Sequence, residues 1–491
     1  MVSYLSRRDA LRAAASLPLM LAARTAGAAG EDPALAFATA RAERLAAPLQ
    51  TLRGRVPPGL AGTLWRNGPA EHDRFGHRYG HWFDGDGMIQ AFRFDGSGVT
   101  HRARILDTPK RRRETEAGRR LLPAFGSMPP DPTSFRGPDD MNPANTSMIV
   151  HAGRHMALWE GGSALAFDPA TLNAGSFVMW SKDIAGAPFS AHPKVEADGT
   201  MWNIGYLPMP RPALVFYRVD PQGRLAKVAL LAMAPLGLTH DFVVTARRLI
   251  MLLTPFVLDT DRFASGNMPF LDAHVWRPEL GVRVLVVDKD SLEVERHHNL
   301  PPGFHFHHGN GWEEPDGTIR LDLCQAPDPS FVIREFRNVM QGDIRFRSAH
   351  PVYRQVVLRP DGSAAYEHGD EVPADFPRID PRRLGHRHSM TFALAGVDGA
   401  LGWPLQRVVR FTPSEVDGWT WPSHRIPEEH VFVPRGASEG EGWLLGPFLD
   451  LSRRTSGLAV FEAGRLEDGP VWEGILPYPL PLGLHGTFAA A

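Results

Sequence analysis

The chain has 491 residues, 43% of them hydrophobic and 22% charged, which is the balance of a globular protein with a large buried core. Formal net charge is −2 and the pI is near 6.9, so nothing in the charge points to nucleic acid as a partner. The single cysteine, Cys324, excludes an intramolecular disulfide, a cysteine zinc site and an iron–sulfur cluster, so any metal must be held by nitrogen and oxygen.

Ser6-Arg7-Arg8-Asp9-Ala10-Leu11 is a twin-arginine pattern, followed by a modestly apolar run from Ala13 to Ala23 and by the small residues Ala26-Gly27-Ala28. Residues 1–28 therefore read as a twin-arginine (Tat) signal peptide, with 29–491 as one mature domain in the periplasm. That route carries folded proteins, which suits a cofactor loaded before export. The apolar run is too short and too rich in alanine for a transmembrane span.

Glu31 to about Gln50 is rich in alanine and could be helical. Leu64-Trp65-Arg66-Asn67-Gly68-Pro69 opens the folded body, and His81 to Met88 contains two Asp-Gly steps, read as tight turns. Lys110 to Leu122 is charged and helix-prone, the pattern of a surface segment. Beyond it come short apolar runs, among them Leu249–Leu258, Val282–Val287, Thr318–Leu323, Val352–Leu358, Gln406–Phe411, Trp443–Leu451 and Leu458–Phe461. Asp-Gly steps recur at Asp95, Asp198, Asp316, Asp361, Asp398 and Asp417. Such runs predict a mostly-β chain with many hairpins. An antiparallel chain this long must close its edges, and a propeller does so by radial repetition. At roughly 45 to 60 residues per blade, the mature chain fits seven or eight blades.

Four histidines stand in short, distinctive contexts: His192 in Ser190-Ala191-His192-Pro193-Lys194, His240 in Leu238-Thr239-His240-Asp241-Phe242, His307 in Phe304 to Glu314, and His485 in Gly483-Leu484-His485-Gly486-Thr487. Their separations are 48, 67 and 178 residues, so each can descend from a different blade onto one axis. Neutral imidazole suits zinc, copper, iron and nickel, and an all-histidine set leaves the metal charge to be offset by carboxylates behind the rings.

These stretches, in this order from Leu64 to Thr487, resemble the carotenoid cleavage oxygenase family, which includes the retinoid isomerase of the visual cycle and stilbene-cleaving dioxygenases. The resemblance implies an all-β, seven-bladed β-propeller with a small helical cap over the axial metal site. It implies one Fe(2+) per chain held by His192, His240, His307 and His485, His307 being chosen because it lies three residues before Asn310. His305 and His308 are then packing residues or stand behind the ligands. The family's three carboxylates that steady ligand histidines correspond to Glu160, Asp375 and Glu429, with Asp375 standing where Glu is usual.

The implied activity is dioxygenase cleavage of a carbon–carbon double bond by O2, giving two carbonyl products, without a protein nucleophile or general base. A carotenoid or apocarotenoid polyene is the expected substrate. The stilbene-cleaving branch commonly has Lys where Trp159 stands, and its phenol-binding Tyr region aligns near Arg104-Ile105-Leu106, which has no Tyr. Stilbene cleavage, a retinoid isomerase and a non-cleaving binding propeller are the alternatives. A polyene lives in membranes, so a peripheral membrane contact is expected, with Leu121–Phe125 and Phe263–Leu271 as candidate entrance segments.

Overall fold

The computed structural model describes residues 32–367, 372–397 and 405–491, so the expected signal peptide at 1–28 lies outside the described residues. Seven antiparallel sheets form the blades of a propeller. In the second to sixth blades the chain runs from the innermost strand outwards. Those inner strands are Ser147–His151, Lys194–Val195, Val243–Val244, His308–Glu313 and Ala374–Arg378.

The first and seventh blades are built from both ends of the chain. In the first, Ala61–Asn67, Asp86–Asp95 and Val99–Ile105 are flanked outside by Arg44–Pro48 and inside by the C-terminal strand His485–Ala490. That strand pairs residue by residue with Ala61–Asn67, from Gly62 opposite Ala490 to Asn67 opposite His485. In the seventh, Gly442–Asp450, Thr455–Glu462 and Pro470–Ile475 take Gln50–Gly54 as their outer strand and Arg425–Pro427 with Val431–Pro434 inside. The ring therefore has two closing pairings and no free first or last blade.

Most expected runs are strands: Val352–Leu358 is one to the residue, and Leu249–Leu258 is two, Arg248–Leu253 and Phe256–Leu258. The Asp-Gly steps at Asp95, Asp198, Asp316 and Asp361 do turn hairpins, with the glycine at positive φ each time. Those in His81 to Met88 do not. Trp82–Asp84 is a 3-10 turn and Asp86-Gly87 begins a strand, where a Cβ on Gly87 would stand 2.3 Å from the Ala144 carbonyl oxygen. Asp417 lies inside the strand Val416–Thr420, and Asp398 falls outside the described residues. The alanine-rich segment after Glu31 is a short 3-10 turn, Pro33–Phe37, and then strand.

The helix Pro109–Ala117 is present and lies at the surface as expected, with Arg112, Thr115, Glu116 and Ala117 exposed, but its other face is buried. Lys110, Arg111 and Glu114 are buried. Lys110 Nζ donates to Asp86 at 2.8 Å, and Arg74 donates to Glu114 at 3.0 Å, so the charges are paired inward against the first blade. The cap over the axis is assembled from short pieces: the turn at 82–84, the loop carrying Phe125, and the helical run from Phe331 to Gln341.

Candidate metal centre

The four histidines predicted to converge do so, each at or just before the start of an innermost strand. His192, His240 and His307 precede Lys194–Val195, Val243–Val244 and His308–Glu313, and His485 opens the closing strand of the first blade. One ring nitrogen from each lies within 4.8 Å of the others. His192 Nε2 and His240 Nε2 are 2.7 Å apart, and His307 Nε2 and His485 Nε2 are 3.3 Å apart.

The other three blades supply carboxylates. Glu160, just after the strand Arg154–Leu158 of the second blade, accepts from His240 Nδ1 at 2.5 Å. Asp375, in the inner strand of the sixth, accepts from His307 Nδ1 at 2.7 Å. Glu429, from the seventh, accepts from His485 Nδ1 at 2.9 Å. Each carboxylate fixes the tautomer, so that Nε2 presents its lone pair to the axis. Asp375 reaches its histidine without a water despite its shorter side chain. Phe376 takes φ of +59° beside it, the ladder slips between Asp375 and Arg378, and the Phe376 ring stacks on His307 at 5.0 Å.

The electrostatics favour the neutral form at two of the four rings, His192 and His485. Burial pushes His485 down to about 3 against the pull of Glu429. Burial and the neighbouring rings of His240, His485 and His307 hold His192 well below its ordinary value. Burial also opposes charge on His240, but Glu160 outweighs it and raises the ring above its usual pKa. Burial works to raise Glu429, yet Arg378, His485 and Arg66 hold it well below the carboxylate range.

Arg66 and Arg378 carry a role that the sequence did not reveal. Arg66 donates to Glu429 at 2.8 Å and to Glu428 at 3.0 Å, and Arg378 donates to Glu429 at 2.9 and 2.6 Å. Only the position of Arg66 in the Leu64–Pro69 motif hinted at it. His305 and His308 stand apart from the four: His308 Nε2 and His305 Nδ1 are 3.3 Å apart, and the His308 backbone N–H donates to Asp241.

The donor set fits a transition metal. One imidazole nitrogen from each of the four rings lies within 4.8 Å of the others, close enough for all four to reach a single ion through bonds of ~2.0–2.1 Å. The chemistry of the set is that of a borderline divalent ion rather than calcium or magnesium, which prefer oxygen.

A cavity open to solvent, with about 880 Å³ of empty space including the solvent at its mouth, is lined in part by His240, His307 and His485. Its wall is aromatic: Trp82, Phe83, Phe125, Phe306, Phe331 and Phe336 line it, with Trp159 next to Glu160 in sequence. Neither Lys, Arg nor Tyr is among its lining residues. Arg104, Ile105 and Leu106 do not line it, so the lack of a Tyr there says nothing about the substrate. The candidate entrance segments are not an open apolar patch. Leu121, Leu122, Pro269 and Leu271 are buried, while Phe125, Phe263 and Phe270 pack ring against ring.

The family described as retinal pigment epithelial membrane protein (RPE65) matches residues 37–490. Apocarotenoid-15,15'-oxygenase of Synechocystis sp. is 27% identical, over 90% of this chain and 93% of its own length. Lignostilbene-alpha,beta-dioxygenase isozyme III of Sphingomonas paucimobilis is 28% identical with the same coverage. A crystal structure of the cobalt-substituted Synechocystis apocarotenoid oxygenase superposes with a TM-score of 0.83 at 24% identity, covering 93% of this chain and 98% of that one.

Proposed function

This chain belongs to the retinal pigment epithelial membrane protein family, and on that premise we propose that it is an iron(II) dioxygenase. It cleaves one carbon–carbon double bond of a carotenoid or apocarotenoid polyene with O2 to give two carbonyl products. The observation that carries the reading is the four-histidine cluster, three of whose members line an aromatic cavity. Relatives named as carotenoid, apocarotenoid and stilbene oxygenases support it.

His192, His240, His307 and His485 would hold the iron, whose contribution when bound is to activate O2 for attack on an electron-rich double bond. The rest is the work of the chain. Glu160, Asp375 and Glu429 keep three rings oriented through Nδ1, and Arg66 with Arg378 keeps Glu429 ionised. The aromatic walls take up a flat conjugated chain and exclude water. They hold one bond beside the histidines, which is where most of the protein's rate contribution lies. No lining side chain is needed as a nucleophile or general base.

The lining favours a polyene over a hydroxystilbene, because the position beside Glu160 holds Trp159 rather than a lysine that would grip a phenol. We further propose export by the twin-arginine route, and an apolar substrate delivered from the membrane. Replacing Arg7 and Arg8 by Lys is expected to leave the protein in the cytoplasm, as read by cell fractionation.

The test is aerobic incubation of the iron-loaded protein with apocarotenals, carotenoids and a 4-hydroxystilbene, with products read by mass. Two carbonyl fragments from a polyene are expected. Rapid cleavage of the hydroxystilbene with apocarotenals untouched would overturn the substrate class. Intact substrates across the panel would shift the reading to an isomerase or a binding propeller.

A further inference from the structure

The polar lining of the cavity is almost entirely committed to the protein itself. Asn145 Nδ2 donates to the carbonyls of Phe83 and Gly85 at 2.8 and 2.7 Å, and the Thr146 hydroxyl donates to Asn145 Oδ1 at 3.2 Å. Glu160 and Asp375 are taken by His240 and His307. Among the described residues, the imidazole of His350 and the indole N–H of Trp159, next to Glu160, are wall groups that make no hydrogen bond to the protein.

His350 is partly buried and stands on a pinned loop. The Glu335 carboxylate accepts from Arg347 N at 3.2 Å, Ser348 N at 2.9 Å and Ser348 Oγ at 2.7 Å. These bonds tie the loop to the helical run that carries Phe331 and Phe336 into the cavity. On the other side, the carbonyl of Pro351 accepts from Ala374 N at 2.8 Å, one residue before Asp375. The His350 ring packs 5.8 Å from Phe346 and makes no ring contact with the four axial histidines. Burial lowers its pKa, leaving a neutral ring with one donor and one acceptor. With no Lys or Arg in the wall, the cavity suits a neutral oxygen better than a carboxylate. A carbonyl would accept from such a ring, and a hydroxyl would donate to it.

We propose that His350 is a specificity-determining residue that receives the hydroxyl or carbonyl terminus of an otherwise apolar conjugated substrate, and so sets which double bond lies beside the four histidines. The inference rests on the cleavage reading above. It identifies the substrate class as a polyene with a neutral oxygen at one end. A neutral hydrogen bond in a site drained of water is the scale of interaction that discriminates about tenfold between ligands with and without the oxygen.

The experiment compares an apocarotenal, its alcohol and the hydrocarbon of equal length on three iron-loaded proteins: wild type, His350→Phe and His350→Gln. Cleavage is read as kcat/KM and as the bond cut. Binding is read separately under anaerobic conditions, by quenching of tryptophan fluorescence. Wild type is expected to prefer the oxygenated ligands about tenfold by both readouts. His350→Phe is expected to bring that ratio to within about twofold and to mix the cleavage positions. His350→Gln, which keeps a donor and an acceptor, is expected to retain most of the preference. An unchanged ratio in His350→Phe overturns the proposal. Should no polyene be cleaved while the binding preference still depends on His350, the cleavage reading fails and the assignment of His350 stands.

Discussion

Among the described residues, His192 differs from the other three axial histidines in having no carboxylate hydrogen-bonded to its ring; its backbone N–H donates to Ser190 Oγ at 3.1 Å. The remaining three can therefore be weakened from behind without touching a ligand. Asp375→Asn and Glu429→Gln are each expected to lower iron affinity by about 10–100-fold, read by anaerobic iron titration, because the second ring nitrogen loses its charged partner. Asp375→Glu should bind iron better than Asp375→Ala, since the carboxylate is kept although its extra methylene must be absorbed where Phe376 is already at positive φ. The histidines were legible because each sits in its own short context. Arg66 and Arg378 were not, since nothing local distinguishes an arginine clamping a buried Glu429 from a solvated one.

The helix Pro109–Ala117 shows where composition misleads. Its charges suggest a solvated segment, and one face is exposed, yet on the other face the i,i+4 pair Lys110 and Glu114 meets Asp86 and Arg74, which are distant in sequence. Breaking that cluster leaves buried charge unpaired. Lys110→Met is expected to destabilise the protein by about 3–5 kcal/mol in chemical denaturation. The closing strand makes a different demand. A Cβ on Gly486 would stand 2.4 Å from the Trp65 carbonyl oxygen, so Gly486→Val is expected to lower Tm by loosening the first blade beside His485. Hairpins turned by Asp-Gly could be read locally, whereas pairing across the ring could not.

Across the whole molecule, the strand-rich pattern indicated a propeller, while the number of blades came from a resemblance and not from any repeat. The structure explains the weak periodicity. Blades carry different inserts, such as the cap segment from Phe331 to Gln341, and two are completed by strands from opposite ends of the chain. The same large core buries uncharged histidines far from the axis. His72 and His101 are each pushed down to about 3 by burial. Unfolded, they take a proton near 6.5. Between these values the unfolded chain binds more protons, so this contribution is complete above pH 6.5 and is lost as pH falls toward 3. Each group adds up to about 1.4 kcal/mol per pH unit in that window. Thermal unfolding followed from pH 8 to 4 is expected to show Tm falling below about 6.5, and less steeply in His101→Gln.

The central claim is that four histidines from four blades form one metal centre, and metal content tests it most directly. Wild type and His307→Ala would be loaded with iron anaerobically, desalted and analysed for iron per chain. One equivalent in wild type and a small fraction in His307→Ala, with circular dichroism unchanged, is the expected result. Equal iron in both proteins, or none in a folded wild type, would contradict the account.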